Sequence, residues 1–268
     1  MKIQGCIPLI TGANRGIGEA LVHELLKRGA AKVYACARNP ALLETLVASD
    51  PKRIIPVRLD VTKPEQAEAA AAMAIDINLL INNAGVTHNG VTLLHNDAIT
   101  NLREEIEVNL IGILNMFRAF MNVLGHNQGA IANVLSGVAI QHNPMCATYS
   151  CSKAAALSMT QGMRTLLRQR NTLVSAVIVG AVDTRMSKDI PSTVVKATPQ
   201  SVATAIVDGL ERGDEDIDAD AGSIATRARV GRDPKKAERH NDHRLPPLPP
   251  LKPLMRIPDE QKKSNSET

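Results

Sequence analysis

Tryptophan is absent from this chain of 268 residues, and Phe117, Phe120, Tyr34 and Tyr149 are its only aromatic residues. An aromatic core is thereby excluded. With 44% hydrophobic residues the interior must be aliphatic, and the length suits one large domain or two small ones. Tyr149 therefore cannot be set aside as one surface tyrosine among many. Cysteine is sparse as well. Cys6, Cys36, Cys146 and Cys151 form no C-x-x-C pair and no zinc-type Cys/His spacing, which argues against a disulfide framework and against a structural metal. Reduced thiols are expected, with Cys146 and Cys151 flanking Tyr149. His240 and His243 lack further ligands nearby, so no metal site is expected.

Other absences narrow the setting. The N-terminus has no sufficient apolar h-region or small-residue cleavage site, and no apolar run reads as long enough to span a bilayer. A soluble, cytoplasmic protein without a membrane partner is expected. The net charge of +4 resides in the tail, where residues 225–268 hold 11 Lys/Arg against 6 Asp/Glu. The body is near neutral and offers no basic groove for nucleic acid.

What is present is alternation. Short apolar runs at 6–10, 32–37, 53–61, 77–81, 129–136 and 173–180 read as strands, although Pro56 weakens the third. Helical patterns separate them, the longest at 102–124 and 149–170, with a last one at 199–213. This order predicts a doubly wound α/β domain, a parallel sheet between two helical layers, whose ligand crevice lies beyond the carboxyl ends of the strands. The acidic "DEDIDADAG" after Gly213 is a poor strand by composition, and residues 223–240 read as a polar, marginal helix. The domain is expected to span 1–224. The basic, Pro-rich extension 225–268 is expected to be partly disordered.

The chemistry-bearing residues fall just after strands. "TGANRGIG" (11–18) joins the first strand to the first helix, and Gly12, Gly16 and Gly18 permit a tight turn and close approach to a phosphate at a helix N-terminus. Where an acidic residue would hold the ribose of NAD, the second strand ends in Ala37-Arg38. Arg38 and Arg15 either converge on a ribose 2′-phosphate, which selects NADP(H), or are solvated surface arginines. Asp60 ends the third strand and either accepts from an adenine amino group or caps its own loop. "NNAG" (82–85) ends the fourth strand: its asparagines suit bracing of strand ends, and Gly85 suits close passage of a ligand. In "YSCSK", Tyr149 and Lys153 are spaced to share one helical face.

Taken in order, "TGANRGIG", "NNAG", Asn109 in a helix, Ser136 after the fifth strand and "YSCSK" resemble the short-chain dehydrogenase/reductase family over roughly residues 5–185. The resemblance implies an NADPH-dependent reductase of a small aldehyde or ketone, working reversibly through Asn109, Ser136, Tyr149 and Lys153. Tyr149 would be the general acid, its pKa lowered from ~10 by the Lys153 ammonium. Lys153 would also hold the nicotinamide ribose, Ser136 would bond the substrate oxygen, and Asn109 would bind a water linking Lys153 to solvent. The implied cofactor contacts are Gly12, Arg15, Gly16, Ile17, Gly18, Arg38, Asp60, Val61, Asn83, Ala84, Gly85, Tyr149, Lys153, Gly180, Val182 and Thr184. A homodimer through the two long helices, or a homotetramer, is implied too.

The chain departs from the family in two places. Val179 stands where proline is usual before Gly180, removing some rigidity, and the expected last strand is weak. The segment 185–198 reads as a substrate lid without aromatics, with Ile140, Met145 and Met186 as candidate pocket liners. "RLPPLPP" (244–250) fits a polyproline ligand pattern. The alternatives are a non-catalytic NADP-binding regulator and an adaptor acting through this tail.

Overall fold

The computed structural model describes residues 1–244 and Pro247. Seven parallel strands form one sheet: β1 (Pro8–Thr11), β2 (Val33–Ala37), β3 (Ile54–Arg58), β4 (Leu79–Asn82), β5 (Ala130–Val134), β6 (Leu173–Ile178) and β7 (Asp216–Asp218), in the order β3-β2-β1-β4-β5-β6-β7. Every residue of β1, β2, β4 and β5 is buried, as strands covered on both faces must be. Pro56 sits on the edge strand β3 opposite Ala35, where a missing donor is tolerated. The order reverses between β1 and β4, so the crevice opens there, at their carboxyl ends.

Helices form the two outer layers. On one face α1 (Gly16–Lys27) packs against α7 (Pro199–Arg212), burying Leu21, Leu25, Val202, Ile206 and Leu210. A short turn Pro40–Leu43 leads into α2 (Glu44–Ser49) beside them. The other face carries α3 (Pro64–Met73), α5 (Gly112–His126) and α6 (Ala147–Leu167), which bury Ala70, Met116, Phe120, Ala156 and Met163. Phe117 and Phe120 belong to this core, and Tyr34 lies buried on β2 with its hydroxyl bonded to Asp76 at 2.9 Å. Of the four aromatics, only Tyr149 lines the crevice.

Four expectations need correction. The long helix predicted over 102–124 is α4 (Ala98–Ile106) joined to α5 by a π-helical turn, Glu107–Ile111. That continuous run, Ala98–His126, is by length and composition apolar enough to cross a bilayer, contrary to the sequence reading; its inner side is spent on the sheet. The acidic segment does form a strand. Ile217 of β7 is buried against Gly209, and the flanking carboxylates are neutralised by Arg164 on Asp216 and Arg227 on Asp218, each at 2.6 Å.

The boundary expected after residue 224 falls inside α8 (Ala221–Arg232), which is followed by α9 (Pro234–Glu238) and a turn over Arg239–Arg244. This segment is tied to the body. The Gln141 side chain donates to the Ala237 carbonyl at 2.6 Å, and Asn241 donates to the His142 carbonyl at 3.1 Å. Apart from Arg244 and Pro247, the "RLPPLPP" motif lies outside the described residues.

Candidate functional site

At the carboxyl ends of the strands lies a cavity of about 1370 Å³. It exceeds the usual range for one small ligand and has room for a dinucleotide beside a substrate. Its walls are the loops that follow β1 to β6, together with residues of α8 and the last turn.

The turn after β1 is shaped by Gly12, with φ +66°, whose missing Cβ would stand 3.1 Å from the Ala84 Cα. Asn83 fixes that approach. Its side chain donates to the carbonyls of Thr11 and Gly12 at 3.0 and 3.2 Å. The Thr11 hydroxyl in turn accepts from the Asn83 and Ala84 amides, both at 3.0 Å. Across the cleft Thr184 faces Gly16, 3.1 Å from the position a Cβ would take there. The N-terminus of α1, with Gly16 and Ile17, therefore opens into the cavity between the ends of β1 and β6. This geometry fits a phosphate-bearing ligand: exposed backbone amides, a helix N-terminus and no side-chain cap on Arg15.

Arg15 and Arg38 are both exposed on the same cavity, which Asp60 and Val61 also line. Among the described residues neither arginine makes an ion pair. Asp60 does cap its own loop. Its Oδ1 accepts from the amide and hydroxyl of Thr62 at 3.0 and 2.8 Å, while its other oxygen makes no bond among the described residues.

Deeper in the cavity, Ser136, Tyr149 and Lys153 come together. Tyr149 is half-buried near the start of α6, and Lys153, one turn on, is 3% exposed with Nζ 5.7 Å from the phenol ring centre. Nζ donates to the Val134 carbonyl at 3.0 Å. Burial dominates both titrations. It pushes the Lys153 ammonium down to about 8. It pushes the Tyr149 phenol up, Cys146 and Glu105 add to that, and the nearby Ser136 hydroxyl partly opposes it. The expected lowering of Tyr149 by Lys153 is thus reversed, because desolvation of the phenolate outweighs an ammonium that itself is poorly solvated. Cys146 is buried, its thiol raised to about 11, whereas Cys151 is exposed.

Two residues expected in the site stand behind its wall. Gly18 is buried under the turn. Asn109 is fully buried in the π-helical turn and clamps the loop after β4: its Oδ1 accepts from the Val86 amide and its Nδ2 donates to the Val86 carbonyl, both at 2.9 Å, and to Ser152 at 3.0 Å. Both donors of its side-chain amide are thus engaged within the protein. Gly85 lies where it must, since a Cβ there would sit 3.1 Å from Asn109 Oδ1 and 3.6 Å from Lys153 Nζ.

Gly180, Val182 and Thr184 line the opposite wall with Met145 and Met186, while Ile140 packs into the core instead. Sequence reasoning missed Asp220, which caps α8 and accepts from the Gly180 amide at 2.6 Å. It holds the loop in which Val179 replaces proline. The signal was present in "DAGS", an Asp three residues before a Ser at a helix start.

Comparison with known proteins agrees with this arrangement. The short chain dehydrogenase family profile matches residues 7–194. A 3-oxoacyl-(acyl-carrier-protein) reductase FabG of Thermotoga maritima is 31% identical over 71% of this chain and 80% of its own length. The same-named enzyme of Vibrio cholerae is 30% identical over 70% and 78%. A short chain dehydrogenase from Burkholderia cenocepacia, solved in complex with NADP, superposes with a TM-score of 0.84 at 40% identity, covering 92% of this chain and all of that one. With its parallel sheet, glycine-rich first turn and Tyr-Lys pair, the chain belongs to the short chain dehydrogenase family of oxidoreductases.

Proposed function

We propose that this chain is an NADP(H)-dependent reductase that converts a small aldehyde or ketone to the alcohol, reversibly. The observation that carries the reading is the convergence of Ser136, Tyr149 and Lys153 on one cavity that Arg15 and Arg38, without ion pairs among the described residues, also line. When bound, the cofactor supplies the hydride. The relative from Burkholderia cenocepacia, solved with NADP, supports the choice of cofactor.

The chain's own residues supply position and the proton. The helix N-terminus and the turn Gly12–Gly18 receive the pyrophosphate; Arg15 and Arg38 receive the 2′-phosphate. Thr184, Val182 and Gly180 border the nicotinamide end. The Ser136 hydroxyl donates to the carbonyl oxygen and orients it. Tyr149, neutral at physiological pH, gives its phenolic proton to that oxygen as negative charge develops. The Lys153 ammonium stabilises the phenolate left behind. That stabilisation needs Lys153 charged, so reduction weakens as pH rises through its value of about 8. A homodimer through α5 and α6 accompanies this reading.

The test is consumption of NADPH against a panel of aldehydes and ketones, with NADH in parallel. The expected result is turnover with NADPH and at least about tenfold lower kcat/KM with NADH, the worth of one charged hydrogen bond. Equal use of both cofactors would refute the assignment of Arg15 and Arg38.

A further inference from the structure

The part of the chain that follows β7 does more than close the sheet. It delivers Arg229 from α8 and His240 and Arg244 from the last turn to the cavity that Ser136 and Tyr149 line. Arg229 is half-buried and held in place: its Nη1 donates to Gln141 Oε1 at 2.6 Å. Gln141 is itself 6% exposed and anchored to the Ala237 carbonyl. It stands five residues after Ser136, at the end of the turn Gly137–Ala139 that Ser136 caps. Thr226, three residues before Arg229 on the same face of α8, lies 3.8 Å from where a Cβ of Gly137 would be. The guanidinium is therefore held on the cavity that Ser136 also lines, with one of its five donors used among the described residues.

Among the described residues its charge has no partner. Arg227, on another face of α8, pairs with Asp218 at 2.6 Å. Among the described residues no carboxylate comes within ion-pair distance of Arg229 or Arg244. Asp183 and Asp189 line the cavity too, but neither reaches them. A second observation locates the convergence: the His240 imidazole is shifted toward its neutral form by burial and by Arg229, Arg244 and His243. Half-burying an arginine without a counter-charge is unfavourable unless a ligand supplies one.

We infer that the substrate carries an acid group, a carboxylate or a phosphate, which Arg229 and Arg244 receive while the carbonyl lies at Ser136 and Tyr149. This rests on the reductase reading and narrows it from any small carbonyl to an oxo acid or a phosphorylated carbonyl compound. Arg229 is then a specificity-determining residue. It offers a bidentate fork pre-oriented by Gln141.

The experiment compares matched pairs with NADPH: 4-oxobutanoate against its methyl ester, and glyceraldehyde 3-phosphate against glyceraldehyde. The acid member of at least one pair is expected to be the better substrate, and which pair shows the larger gap separates carboxylate from phosphate. Arg229→Gln and the exposed Arg244→Gln should each lower kcat/KM for that acid about 10- to 100-fold, the range for a charged hydrogen bond. Neutral substrates and NADPH affinity should be unchanged, which also shows that the variants are folded. Neutral members used as well as acids, or variants that affect both alike, would overturn the inference while leaving the reductase reading intact. So would a loss of NADPH affinity, which would place Arg229 on the cofactor. If no carbonyl is turned over, the reductase reading fails, and calorimetry of succinate and of inorganic phosphate against the NADPH-loaded protein decides the inference. Binding of either that Arg229→Gln abolishes supports it; no binding of either overturns it.

Discussion

Lys153 shows how a single buried residue couples stability to function. Its folded pKa of about 8 lies below the ordinary lysine value of 10.5, so the unfolded chain binds the extra proton more tightly. Below pH 8 the buried ammonium opposes folding by its full amount, on the order of 3 kcal/mol. That penalty declines as pH rises from about 8 to about 10.5 and is gone above. Lys153→Met is accordingly expected to be more stable than wild type in urea unfolding at pH 7, with the difference closing by pH 10.5. A difference independent of pH would show that the ammonium is not desolvated. The same value sets activity: kcat/KM for carbonyl reduction should be flat at neutral pH and fall as pH passes through about 8. The pairing of Tyr149 with Lys153 was legible from spacing on a helix. The direction of their shifts was not, because spacing on a helix says nothing of how deeply the packed chain buries the pair. The side-chain contacts of Asn109 were hidden for a related reason. Its neighbours promise a helix, and only the π-helical turn turns its side chain onto Val86.

Among the elements, the strands and long helices were legible because parallel strands buried on both faces leave continuous apolar runs. β7 was not, since its one apolar residue, Ile217, is flanked by carboxylates that Arg164 and Arg227 neutralise from elsewhere. α8 was legible only as part of a marginal helix over 223–240, being polar along most of its length. Its N-terminus is nonetheless coupled to the site. Asp220 accepts from the Ser223 amide as the helix cap and from the Gly180 amide in the cavity wall. Asp220→Ala should cost about 1–2 kcal/mol as a lost cap and should weaken NADPH binding measured by fluorescence. Asp220→Asn, which keeps the cap, should retain most of the stability. A variant with unaltered cofactor affinity would show that Gly180 holds its place without Asp220.

At the level of the whole molecule, the cavity is closed from both ends of the sequence: the glycine-rich turn comes from the first strand and Arg229 from the eighth helix. Removing residues 245–268 should therefore leave turnover intact. Removing 221–268 should abolish it by releasing Gly180 and Gln141 together, and a full-activity product would show that the last helices are dispensable. If the extension were instead the working part, as in an adaptor, the first truncation would be the damaging one. Sedimentation of the intact chain should show a dimer, formed on the partly exposed apolar residues of α5 and α6 such as Leu114, Met121 and Met159.

The central claim is that Tyr149 is the proton donor in an NADPH-dependent reduction, and one comparison tests it most directly. NADPH oxidation in the presence of a reducible carbonyl would be followed for wild type and Tyr149→Phe, with NADPH affinity measured for both by cofactor fluorescence, which the absence of tryptophan leaves clear. The account predicts that the variant binds NADPH as wild type does and loses at least about 100-fold in kcat, the lower bound for a general acid. Undiminished turnover in Tyr149→Phe would contradict it.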